Sequence, residues 1–161
     1  MYIRSAFALT LFMSLTLTSV TSVADTRFQG KAVRVLDGDT IEVLADGNRN
    51  VRVRLANIDA PEKTQPFGQK SKEHLIDLVA GKNVEVIDVG GDQYGRRIGR
   101  ILVDGQEANV EQVRSGLAWV YSRYNHDGQL PSLENTARSQ RIGLWVDPKP
   151  QAPWEFRRGQ K

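Results

Sequence analysis

From residue 28 onward, apolar and polar side chains alternate, first over 28–36, where Val33 and Val35 share a face, and then over 40–44 through Ile41 and Val43. A period of two marks a half-buried strand. Asp46-Gly47-Asn48 is a turn signal between alternating runs, so the strands on either side should form a hairpin. The next run, 50–58, carries Val51, Val53 and Leu55 on one face and Arg52 and Arg54 on the other. A loop over 59–66 follows. Pro66 suits the first position of a helix, and Phe67, Ser71, Leu75, Leu78 and Val79 fall close to a helical period over 67–79. Gly81 closes that helix. Strands are predicted over 83–89 and 97–103, with a glycine-rich loop over 90–96 between them. Asp104-Gly105 is a further turn. Asn109 is placed to cap a short helix with Val110, Val113 and Leu117 on its core face and Gly116 at its end, and a last helix is predicted over 131–141. Three strands, a helix, two strands and then helices is the order of an OB-type barrel with helices packed on it. A generic α+β sandwich produces a similar string, so the element order leaves both open.

Composition narrows the function classes more than the fold. The chain has 161 residues, room for one domain, with 40% hydrophobic and 25% charged residues, as in an ordinary globular protein. A net charge of +3 permits a polyanionic partner without demanding one. The chain has no cysteine, which excludes disulfides, thiolate metal sites, a cysteine nucleophile and a lipid-modified cysteine. At the N-terminus, Arg4 precedes an apolar stretch over 6–17, and Ser22-Val23-Ala24 offers small residues ahead of Asp25. That is the layout of a secretory signal peptide over 1–24, cleaved after Ala24. The apolar run is short for a bilayer span, and Ser and Thr interrupt it. The expectation is therefore an exported protein, periplasmic or extracellular, with no membrane association after cleavage.

The chemistry concentrates in Asp37-Gly38-Asp39-Thr40 and in 53–62, from Val53 to Glu62. A bare Asp-Gly-Asp is a turn more often than a metal site, and Asp59 alone reads as a strand-end residue. Their joint placement changes that reading. Asp39 starts one strand and Asp59 ends its antiparallel neighbour, so both arrive at the same end of a barrel, with Glu62 just beyond Pro61. Carboxylates gathered there repel one another unless a cation lies between them. The donors are all oxygens, which selects a hard cation, Ca²⁺ or Mg²⁺, over zinc. Arg54, among apolar neighbours on its strand, is expected to be buried, paired or anion-binding. With Arg96 from the glycine-rich loop it would form a clamp for a phosphodiester, because the planar fork matches two phosphate oxygens.

These residues resemble the staphylococcal nuclease (thermonuclease) family. The matching pieces are Asp37-Gly38-Asp39-Thr40, Arg54-Leu55 with Ile58-Asp59-Ala60-Pro61-Glu62, Asp92-Gln93-Tyr94-Gly95-Arg96, and Asn109-Val110-Glu111 with the segment from Val113 to Ala118. They occur in the right order along the whole mature chain, and the tail after Gly143-Leu144-Trp145 resembles exported bacterial members. The resemblance implies an α+β fold with a mainly β core, a five-stranded OB-fold barrel with about three packed helices over 25–146, followed by a proline-rich tail over 147–161. It implies a Ca²⁺-dependent, monomeric endonuclease that hydrolyses DNA and RNA with low sequence specificity and leaves 3′-phosphate and 5′-hydroxyl ends. Carried over residue by residue, Asp39 and Asp59 hold the calcium, with the main-chain carbonyl of Ala60 where the family has threonine. Glu62 acts on the attacking water, as general base or by orienting it, and Arg54 and Arg96 bind the phosphate. Tyr94 and Tyr121 are the candidates for stacking on a base or sugar, a contact that tolerates any base. Trp119 is a third such candidate.

Overall fold

A computed structural model describes residues 26–160. The expected signal peptide and its cleavage point lie outside the described residues. The elements in chain order are β1 (Thr26–Asp37), β2 (Thr40–Ala45), β3 (Arg49–Leu55), β4 (Ile58–Asp59), α1 (Gly68–Val79), β5 (Asn83–Gly91), β6 (Arg97–Val103), β7 (Gln106–Glu107), α2 (Ala108–Arg114), β8 (Trp119–Val120), α3 (Leu130–Ser139) and α4 (Pro153–Gly159).

β1 pairs antiparallel with both β2 and β5, β2 with β3, and β5 with β6. A short parallel pairing of β3 with β6, Val53 to Arg97 through Leu55 to Gly99, closes the ring. Five strands therefore form a closed barrel, which decides for the OB-type fold over an open sandwich. Gly99, at the end of that pairing, also lies tight against β5. A Cβ there would lie 2.8 Å from Val86 Cγ1 and 3.0 Å from the Ile87 carbonyl. The barrel is filled by the alternating positions of its strands, including Ile41, Val43, Val53, Leu55, Val86 and Ile101, with Leu75 and Val79 of α1 and Val113 of α2 packed on the same core.

Two strand predictions change in ways that matter for the site. Val33 and Val35 do not share an environment, because a bulge between Ala32 and Arg34 shifts the register. Val33 turns out to solvent while Ala32 and Val35 stay inside. The run over 50–58 is also not one strand. Asn57 takes a left-handed φ of 67°, tolerable for asparagine, and breaks it after Leu55. Ile58 and Asp59 then leave the barrel sheet and pair with Val120 and Trp119.

The helices show similar local corrections. α1 begins at Gly68 rather than Pro66, because Phe67 is left-handed at φ 68°. Gly81 follows it at φ 74°, as the sequence predicts. Asn109 does not cap α2. It lies inside the helix, fully buried, and its amide ties Ala56 O at 2.9 Å, while its carbonyl accepts from Ile101 N at 3.0 Å.

A fourth helix, α4, stands in the stretch expected to be a proline-rich tail. It sits on a second small core of Trp119, Ala137, Leu144, Trp145 and Ala152. Trp119 meets Trp145 edge to face at 4.5 Å, and Arg138 lies 3.7 Å over the Trp145 ring. Trp119 is thus a packing residue beneath α4 rather than an open stacking surface.

Candidate active site

The turn from β1 to β2 supplies the first acid. Asp39 N donates to Asp37 Oδ1 at 3.1 Å, which holds the turn closed. Gly38 backs onto α1 so closely that a side chain would meet Ser71 Oγ and lie 2.8 Å from Ala60 Cβ. Asp39 is thereby aimed across the barrel end. Its Oδ2 accepts from Ala60 N at 2.8 Å and its Oδ1 from Thr40 Oγ1 at 3.0 Å. The neighbouring strand is pinned to the same turn, since Leu55 N donates to Asp39 O at 2.8 Å.

Arg54 stands opposite Thr40 in the β2–β3 register. The strand break at Asn57 curls the chain around its guanidinium. Nη1 donates to the carbonyls of Leu55 and Ile58, each at 2.9 Å. Nη2 donates to Asp59 Oδ1 at 2.9 Å and lies 3.3 Å from Asp39 Oδ2. One nitrogen therefore spans both acids. The expected convergence of Asp39, Arg54 and Asp59 is present, with Ala60 between Asp59 and Pro61 and bonded to Asp39.

The acids outnumber their partners. Burial holds the Asp59 carboxyl above its usual range, against the hydrogen bond from Arg157. Asp37 is pushed up to about 6, first by burial and then by the charge of Asp39. Burial lowers the pKa of Arg54, but Asp39, Asp59 and Asp37 outweigh it and raise the group above its usual range.

The sequence gives no hint of the group that answers this excess. Arg157 reaches in from α4. Its Nη2 donates to Asp59 Oδ2 at 2.8 Å, and its Nη1 lies 3.2 Å from Asp59 Oδ1 and 2.7 Å from Glu62 Oε1. The bond to Asp59 raises the Arg157 pKa above its usual range. Glu62 is the most open of the acids, with 39% of its side chain exposed against 1% for Asp59. Its loop is tied to the segment leading into α4, because Gln65 accepts from Glu62 N at 3.1 Å and donates to Gln151 O at 2.6 Å.

Arg96 and Tyr94 lie on the loop between β5 and β6. The loop is built around Asp92, which accepts from Tyr94 N at 2.9 Å and Arg96 N at 3.0 Å. The Arg96 guanidinium is itself held by Asp92, with Nε and Nη2 each 2.7 Å from Oδ2, and not by the acids around Arg54. Tyr94 is 74% exposed. It lines a groove of about 700 Å³ together with Tyr121, Ser122, Arg123, Trp154, Arg157 and Arg158. Arg157 links this groove to the acids, because it lines the groove with Tyr94 and also holds Asp59 and Glu62.

The donor chemistry fits a hard divalent cation. Asp39 and Asp59 present carboxylate oxygens side by side, and no thiolate or imidazole competes. Among the described residues, no three of His, Cys, Asp and Glu converge as a finished cage. Arg54 and Arg157 engage carboxylate oxygens of Asp39 and Asp59.

The family model for staphylococcal nuclease homologues matches residues 52–147. The chain belongs to the staphylococcal nuclease family. An uncharacterized endonuclease of Escherichia coli O157:H7 is 52% identical over 129 residues, covering 80% of this chain and 84% of that protein. A micrococcal nuclease of Shigella flexneri is 42% identical over 154 residues, covering 89% and 87%. A staphylococcal-like nuclease of Arabidopsis thaliana is 36% identical over 128 residues, covering 80% of this chain and 39% of the plant protein.

Within this family member a second unforeseen residue supports the acidic turn. Gln112, fully buried in α2, donates to Gly38 O at 2.5 Å and to Ser71 O at 3.0 Å, and its Oε1 lies 2.6 Å from His74 Nδ1. The pattern of Val110, Val113 and Leu117 carries no signal for Gln112, whose buried amide finds its partners only in the fold. Gln112→Ala should leave these groups unpaired and cost about 1–3 kcal/mol for each that stays dry. A fall in the urea midpoint measures it.

Proposed function

We propose that this protein is an exported, calcium-dependent endonuclease that hydrolyses DNA and RNA with low sequence specificity, leaving 3′-phosphate and 5′-hydroxyl ends. The nuclease class follows from family membership, and the names of the bacterial relatives support an endonuclease. The observation that carries the site assignment is the single Arg54 nitrogen shared by Asp39 and Asp59, with Glu62 open to solvent beside them.

Asp39, Asp59 and the Ala60 carbonyl would hold the calcium, which supplies positive charge to the phosphoryl oxygens when bound. The chain's own groups do the rest. Arg54 is fixed by two backbone carbonyls, so its fork is oriented before substrate arrives. Arg54 and Arg96 take the non-bridging oxygens and the charge that grows on them. Glu62, at the open edge, accepts a proton from the attacking water or orients it. The water oxygen joins phosphorus, the bond to the 5′ oxygen breaks, and that oxygen takes a proton from solvent to leave as a hydroxyl. Arg157 must release Glu62 and Asp59 for this to occur. A site with few acidic ligands of this kind binds calcium weakly, at about 10⁻⁴–10⁻³ M as in extracellular modules, which suits an exported monomer.

The grip of Arg157 on Glu62 favours one rival, an OB-fold module that binds nucleic acid without cutting it. Digestion of plasmid DNA and of RNA with calcium, repeated with a chelator, separates the two. Degradation that the chelator stops, with 3′-phosphate ends on the products, is the expected result. Retained binding without cleavage would establish the module.

A further inference from the structure

The end of the chain builds more of the cleft than Arg157 alone. Trp154, one turn before it on α4, lies parallel to Tyr121 at 5.4 Å with an interplanar angle of 7°, and Tyr124 meets Tyr121 edge to face at 4.9 Å. Trp154 also touches Trp119 at 5.6 Å, so it is seated on the second core and held in place. Tyr121 and Trp154 make an aromatic wall in the groove that Tyr94 also lines, and Arg157 of the same lining holds Asp59 and Glu62.

The cations of the same groove are unusual for this protein. Among the described residues, the arginines without a carboxylate partner are Arg49, Arg123, Arg141 and Arg158. Two of them, Arg123 and Arg158, line the groove. Arg158 is exposed and bonds only its own helix, through Trp154 O at 3.3 Å, and Arg123 lies over the Tyr124 ring at 5.5 Å. Guanidiniums left without acids beside a wall of rings match a ligand that carries phosphate and a flat base together.

We propose that α4 forms one wall of a nucleotide subsite next to the cleavage point. A nucleotide flanking the scissile phosphate packs its base on the wall of Tyr94, Tyr121 and Trp154, and its phosphate pairs with Arg158 and Arg123. The proposal rests on the nuclease reading and adds a part of the substrate path that the barrel does not supply. The tail is then a working half of the cleft.

The test uses the mature chain and a fluorescein-labelled eight-nucleotide oligothymidylate, read by fluorescence anisotropy in chelator, so that binding is measured without turnover. Trp154→Leu should weaken binding about tenfold. Arg158→Gln, on an exposed side chain with no tertiary partner, should weaken it and lower the slope of log K against log salt by about 0.7, one phosphate contact on a single strand. A merely structural role for α4 would leave that slope unchanged. Wild-type affinity and slope in Arg158→Gln, or no binding by the wild-type chain, overturns the proposal. Calcium-dependent digestion by the same preparations is scored separately. Cutting with unaltered binding rejects the subsite alone, and binding without cutting rejects the nuclease reading alone.

Discussion

Arg54→Lys should cut turnover about 10²–10³-fold and lower stability at the same time. The guanidinium makes hydrogen bonds in two directions from two nitrogens, to the Leu55 and Ile58 carbonyls and to Asp59, with Asp39 within ion-pair distance. A lysine brings one ammonium and cannot hold the turn and bridge the acids together. It keeps the charge, so the loss stays below the ~3–5 kcal/mol of a deleted buried ion pair. About 2 kcal/mol is expected from the charge-assisted bonds that go. Urea melts in chelator read the stability term, and digestion kinetics under conditions where the variant is fully folded read the catalytic one. Wild-type kinetics in a destabilised variant would confine Arg54 to the fold.

Glu62→Gln should separate those two effects. The side chain is partly exposed and its polar contact is the one to Arg157, so the fold should melt within about 0.5 kcal/mol of wild type. Turnover should fall about 10²–10⁴-fold, because an amide neither accepts the proton of water nor carries the charge that orients it. Near-normal activity would remove Glu62 from the reaction.

Much of this architecture is legible in the sequence because local rules and tertiary structure agree there. Ile41, Val43, Val53 and Leu55 alternate and are all fully buried. The hairpin logic that put Asp39 and Asp59 at one barrel end holds, although Asp59 arrives by a break at Asn57 rather than at the end of a continuous strand. The bulge after Ala32 is invisible to a periodicity argument, because one extra residue reverses the alternation that follows it. Asn109 reads as a cap, and Gln112 goes unread, because their partners, Ala56 and Gly38, lie on elements far away in the chain. Helix α4 is too short to announce itself by pattern and depends on the seat beneath Trp154. Arg157 is the extreme case, 98 residues from Asp59. Nothing local to Arg157-Arg158 names that carboxylate. The clamp pairing Arg54 with Arg96 is a reading of the motifs, and the resting place of Arg96 against Asp92 on its own loop is visible only in the fold.

The tethered guanidinium between Asp59 and Glu62 gives the protein an internal counterion. Its crowded acids are neutralised as soon as the chain is complete, so folding need not wait for a metal. An incoming ion must evict a rival that is covalently attached and therefore always at hand, which lowers its apparent affinity by the fraction of molecules whose site is open. Under the proposed calcium chemistry, such a chain is folded but idle without the ion and is armed once the ion displaces that guanidinium.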